Sequence, residues 1–86
     1  MSYIFDDIRQ ERISQDHKWG GQAHDDAHTA AEWVGFITAK LGETVKASFY
    51  HGTVFRGDTL PLYRRGLVQV AALAVAAIEA YDREHK

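Results

Sequence analysis

"LVQVAALAVAAIEAY", residues 67–81, decides the fold class. Only Gln69 and Glu79 interrupt a stretch that is apolar nearly all round. At helical spacing such a segment has no polar face to turn to water, so protein must surround it. It is too short and too alanine-rich to read as a membrane span of about 20 strongly apolar residues. The expectation is a core helix over residues 62–83, with Pro61 in its first turn, where a missing N–H costs nothing. Two partner helices from one small chain cannot cover it completely. Ala72, Ala76 and Ala80 predict close approach by a helix of a second subunit.

Upstream, "TAAEW" places Glu32 three residues after Thr29. That is a capping box, in which each side chain satisfies the other residue's backbone N–H. It opens a predicted helix over residues 30–49. One stripe of that helix is Trp33, Val34, Ile37, Leu41, Val45 and Phe49, and a second face carries Phe36, Lys40, Glu43 and Ala47. A first helix is expected over residues 2–18, capped by Ser2, with Asp6 and Asp7 favouring its N-terminal end. Its face Ile4, Ile8, Glu11, Gln15, Lys18 runs from apolar to polar, as if it left a core and entered a pocket. Two segments read as loops. "WGGQAHDDAH" starts with glycines that end the first helix, and "YHGTVFRGDTL" suggests one extended turn around Val54 and Phe55. The fold class is therefore all-α, one domain over residues 1–86, with three main helices completed by oligomerisation.

The 86 residues are 45% apolar, more than a small monomer hides easily, which also points to a homo-oligomer. Twelve acids against ten bases leave a formal net charge of −2. No basic stripe argues for DNA or RNA. The absence of cysteine excludes disulfides and thiolate metal ligands. The opening "MSYIFDDIRQ" is too acidic for a signal peptide, so the expectation is a cytoplasmic protein with no membrane partner. Ser14 and Ser48 lack a glycine elbow, and "WGGQ" matches no phosphate-binding glycine loop.

Chemistry concentrates in a few places. His24, Asp25, Asp26 and His28 put two imidazoles and two carboxylates in five residues, a set that suits zinc or manganese. The competing reading is a polar loop whose aspartates favour the next helix's N-terminus, or whose side chains bond backbone amides. Trp33 belongs to the apolar stripe and is expected in the core. Trp19, beside glycines and Lys18, is placed to stack on a base. Glu43 and Gln69 could face one another across a shared pocket, joined by Glu11 and Gln15. A buried Gln69 would need partners for its amide, inside that pocket or across a subunit interface. Arg64 and Arg65 could meet phosphate, although arginines at a helix start are ordinarily solvated.

The segments "ERISQDHKWGGQAHDD" (11–26), "EWVGFITAKLGETVKA" (32–47) and "YRRGLVQVAALAVAAIEAYDR" (63–83) together resemble small phage and prophage proteins similar to the MazG-like all-α NTP pyrophosphohydrolases. The most specific parts are "ERxxQxxKWG" and "LVQVAALAVAAIEAxDR". The resemblance implies a helical oligomer that binds nucleotides. Enzymes of that family hold magnesium with an EExxE motif on one helix and an ExxD motif on the next. Here the first motif falls on Ala39, Lys40 and Glu43, and the second on Gly66 and Gln69. One acid out of five is not a magnesium site, and Lys40 would repel a cation while still neutralising phosphate.

The resemblance and the lost acids together lead us to expect a non-catalytic nucleotide-binding protein, a pseudoenzyme in the host cytoplasm. It would sequester a host nucleotide signal in counter-defence. Lys18, Lys40 and Arg64 would meet phosphate, Trp19 would stack on a base, and Gln15, Glu43 and Gln69 would complete the ligand site. Two alternatives stand beside it. One is an interaction module that binds a host protein. The other is a metal-dependent pyrophosphohydrolase with its metal relocated to His24, Asp25, Asp26 and His28.

Overall fold

The computed structural model describes residues 2–50 and 60–85. The described residues form four helices: α1 (Ser2–Trp19), α2 (Gly21–Asp26), α3 (Ala30–Tyr50) and α4 (Leu60–Glu84). No strand occurs among the described residues, and the chain is all-α. The expected extended turn at Val54 and Phe55 lies outside the described residues.

Local sequence sets the breaks. Gly20 and Gly21 take φ values of +101° and +69°, the left-handed region that glycine enters without a Cβ penalty. The Gly20 N–H closes the last turn of α1 on the Asp16 carbonyl at 2.9 Å. The chain then turns straight into α2, where a loop was expected. With the break completed by two residues, Gln22, Ala23 and His24 are left free to continue as helix. The capping box forms as read: the Thr29 N–H donates to Glu32 Oε1 at 2.8 Å and the Glu32 N–H to Thr29 Oγ1 at 3.2 Å. Pro61 lies in the first turn of α4, which starts two residues earlier than expected. Ser2 lies inside α1 rather than capping it, and the first turn of α1 holds no acid. Asp6 instead pairs with Arg9, and Asp7 with Arg64.

Helices α3 and α4 run antiparallel. Thr44, late in α3, meets Gly66, early in α4, while Trp33, early in α3, packs on Leu73 and Ala76. The core is small: Trp33 is 6% exposed and forms a cluster with Leu73 and Ala76, flanked by Ile37 and Ala77. Helix α1 crosses α4. Asp7 reaches back to Arg64 in the first half of α4, and Arg12 reaches Glu79 in the second.

Two expectations about the apolar residues need correction. Ala72 and Ala76, assigned to a subunit contact, are buried within the chain itself. Their small side chains let α4 pack closely with its own neighbours. Conversely Val34, Leu41 and Val45, read as core on one stripe with Trp33, are exposed, Val34 by 64%. The stripe is wider than the contact with a single helix, so its far edge stays outside. Helix α4 is long and apolar enough, by length and composition alone, to cross a membrane, a test that the core helix of a soluble protein also passes. Only 22% of its apolar window is buried within one chain.

Candidate functional site

A continuous polar line runs from α4 through α1 and α2 to the start of α3. Arg12, 14% exposed at its side chain, stands at its centre. Its guanidinium donates to Asp16 at 3.2 Å, Asp25 at 3.2 Å, Glu79 at 3.4 Å and the Gln15 amide oxygen at 3.4 Å. Asp25 and Gln15 are both buried, at 5% and 4%. Burial of a carboxylate demands such a partner, because an unpaired charge out of water is very costly. The other Asp25 oxygen lies 3.1 Å from His24 Nδ1. His24 Nε2 lies 3.0 Å from His28 Nε2, and His28 Nδ1 lies 3.7 Å from Glu32. Carboxylate, imidazole, imidazole and carboxylate thus follow one another across the α2–α3 turn.

Aromatic rings frame the two imidazoles. Trp19 stacks on His24 with centroids 5.9 Å apart, and Trp33 and Phe36 meet the His28 ring edge-on at 5.8 and 4.9 Å. Trp19 also belongs to a basic corner. Lys18 Nζ lies 5.5 Å from its ring centroid. Lys40 on α3 bonds Glu43 at 2.8 Å. The Glu43 carboxyl is held below its ordinary value, first by that hydrogen bond, then by the charges of Lys40 and Lys18. Lys18, Trp19, Lys40 and Glu43 therefore share one neighbourhood.

The remaining ligand candidates lie elsewhere. Gln15 is one turn earlier on α1, inside beneath Arg12. Arg64 pairs with Asp7 at 2.7 Å. Asp7 precedes Lys18 by about 16 Å along α1. Gln69 is half-buried on α4. The four residues of the "HDDAH" set also separate. The two histidines meet, but Asp25 turns to Arg12 and Asp26 to Arg83, which donates to it at 2.7 and 2.9 Å. Asp26 is lowered by its Arg83 hydrogen bond, and Arg83 is raised in return. Among the described residues no three His, Asp or Glu side chains converge as a metal cage.

Two open clefts flank α1. One of about 440 Å³ lies against the second half of α4, between Phe5, Ile8 and Val75. It sets Arg9, Arg12 and Arg83 against Asp16, Asp25 and Glu79, so its formal charge cancels. The other, about 480 Å³, sets Arg64 and Arg65 against Asp7 and Glu11 and cancels likewise. The corner of Lys18, Lys40 and Glu43 keeps one positive charge in excess.

Between α3 and α4, at the positions where the resemblance implies acids, the helices touch. A Cβ on Gly66 would fall 2.7 Å from Thr44 Cγ2 and 2.9 Å from its Cβ, and nearer still to Oγ1. There is no room at Gly66 for a glutamate. Arg12 and Glu32 were missed as members of the polar line. Arg12 had a legible signal, standing in "ERxxQxxKWG" on the same face as Gln15 and Asp16, whereas Glu32 was read only as a cap. No family model, curated protein or solved structure matches the chain.

Proposed function

We propose that this chain is a non-catalytic relative of the MazG-like pyrophosphohydrolases that binds a nucleotide or nucleotide-like signal. The observation that carries the reading is the corner at the end of α1. Lys40 pairs with Glu43, and the charge of Lys18, which lies over a tryptophan that is 40% exposed, also reaches that carboxylate. Lysine charge suits phosphate, and an exposed indole suits a base, worth about 1–3 kcal/mol per stacked base. The Gly66–Thr44 contact supports the non-catalytic half of the proposal, since it occupies the space an acidic α4 motif would need. In a phage or prophage setting such a protein would sequester a host nucleotide signal.

A homo-oligomer is part of this reading. Leu67, Ala74 and Ile78 project about 140° around α4 from Ala72, Glu79 and Arg83, which face α1. Val34, Leu41 and Val45 line the matching side of α3. The α3–α4 pair thus offers a two-helix apolar face away from α1. At about 10 Å of width and about 30 Å of length per helix, it presents roughly 600 Å² per copy. That approaches the roughly 800 Å² per partner of a standard stable interface. Two such faces would pack as a four-helix bundle.

The test is thermal denaturation with nucleoside triphosphates, cyclic dinucleotides and cyclic oligonucleotides, each with EDTA and with magnesium. A ligand that binds only the folded state raises the midpoint. The expected result is a rise that does not need metal and is lost in Trp19→Ala and Lys40→Glu. A rise only with magnesium, or none with any nucleotide, would overturn the proposal.

A further inference from the structure

We infer that His24 and His28 form a two-nitrogen site for a divalent transition metal of the nickel, copper and zinc class. A carboxylate stands on the outer side of each ring. Asp25 lies 3.1 Å from His24 Nδ1, and Glu32 lies 3.7 Å from His28 Nδ1. A carboxylate accepts and cannot donate, so at 3.1 Å from Asp25 the His24 Nδ1 carries the proton. His24 Nε2 then presents a lone pair to His28 Nε2, 3.0 Å away. A lone pair at that distance from a second nitrogen needs a positive centre to bind both. The proton of a His28 Nε2–H is one such centre, and a metal ion that displaces it, with the His28 proton moving to Nδ1 on the Glu32 side, is the other.

The dimensions suit the ion. With nitrogen–metal bonds of about 2.05 Å, two atoms 3.0 Å apart subtend about 94° at the metal. That is the cis angle of square-planar or octahedral nickel and copper, and zinc needs the rings to part by about 0.3 Å. The outer carboxylates are the usual second layer of a histidine metal site, fixing ring orientation and raising nitrogen basicity. Asp25 is itself held by Arg12 and Glu32 by the Thr29 N–H, so neither can swing inward without breaking those bonds. Glu32 therefore enters as an orienting residue, and Asp26, committed to Arg83, drops out. Among the described residues no third such side chain completes the shell, so water fills the remaining positions and the metal exchanges.

The chain carries its own reporter. It has two tryptophans, and both touch the pair: Trp19 stacks on His24, and Trp33 meets His28. Nickel titrated into the full chain, with no nucleotide present, should quench tryptophan emission saturably at one metal per chain, and EDTA should reverse it. His24→Gln and His28→Gln should each weaken the response tenfold or more. Glu32→Gln, which keeps an acceptor for the cap, should weaken it by about tenfold through the orienting contact. His17→Gln, on the exposed side of α1, should leave it unchanged. Non-saturable quenching, or equal quenching in wild type and His24→Gln, overturns the inference. Should the histidine variants unfold, imidazole nitrogen NMR of the wild type with zinc decides. Shifts at the Nε2 atoms of His24 and His28, with His17 and His85 unmoved, support the site, and unmoved His24 and His28 signals reject it.

Discussion

Gly66 is the glycine with the least room for a side chain among the described residues. Its neighbour Thr44 is held by its own hydroxyl, which donates to the Lys40 carbonyl at 3.0 Å. Turning the Thr44 rotamer would not make space, because its Cβ is also within 2.9 Å of a Cβ at position 66. Gly66→Ala must therefore push the helices apart, at about 1–3 kcal/mol. That strain outweighs the roughly 1 kcal/mol that alanine contributes over glycine inside a helix. The expected outcome is a lower urea midpoint with an unchanged slope. A variant as stable as wild type would show that α3 and α4 do not approach this closely. The same contact bears on function. The Thr44 side chain, lying against Gly66, closes the space between the two helices at this level. Lys40 and Glu43, on the same helix as Thr44, are left to pair with each other. In the sequence, Gly66 stood out only through the resemblance, which implies an acid at that position. That the position is filled by a neighbour's side chain depends on helix registration, which no local pattern records.

At the scale of elements, the stops and starts were legible because they rest on local chemistry. The capping box and the helix-ending glycines each act within four residues, and each forms as read. The short helix α2 was not legible, since six residues carry no periodic signal and "QAHDD" is equally at home in a turn. Its presence matters, because it brings His24 back onto His28 and Trp19. The cap is testable on its own terms. Thr29→Ala should cost about 1 kcal/mol. Glu32 is held below its ordinary value, first by the Thr29 backbone N–H and then by the Thr29 hydroxyl. A depressed carboxyl stabilises the fold above its unfolded value, near 4.5, and loses that contribution as pH falls through the lower folded value. The stability gap between wild type and Glu32→Gln should thus be present at about pH 6 and close towards about pH 3. Denaturant titrations across that range check it, and a gap that stays constant would assign the cap no ionic component.

On the scale of the whole molecule, one chain has more apolar surface than it can cover. The core cluster is Trp33, Leu73 and Ala76, while Val34, Leu41, Val45, Leu67 and Ile78 all remain exposed. That excess was visible in the composition and in the all-round apolar character of residues 67–81. Which alanines lie inside was not, because helical spacing alone cannot tell a neighbour in the same chain from one in another. Ile78 is 60% exposed near the middle of the uncovered face, so a charge there costs little within one chain and much between two. Ile78→Asp should keep its helical circular dichroism and lose mass in sedimentation equilibrium. Val34→Asp, on the other helix of the same face, should do likewise. Tyr3→Asp, on α1 and 68% exposed, should not. Wild-type melting should also rise with protein concentration, as it must when association and folding are linked. A wild type that sediments as a monomer at all concentrations removes the second copy from this face. If that monomer also binds phospholipid vesicles, the apolar side of α4 belongs to a lipid surface instead.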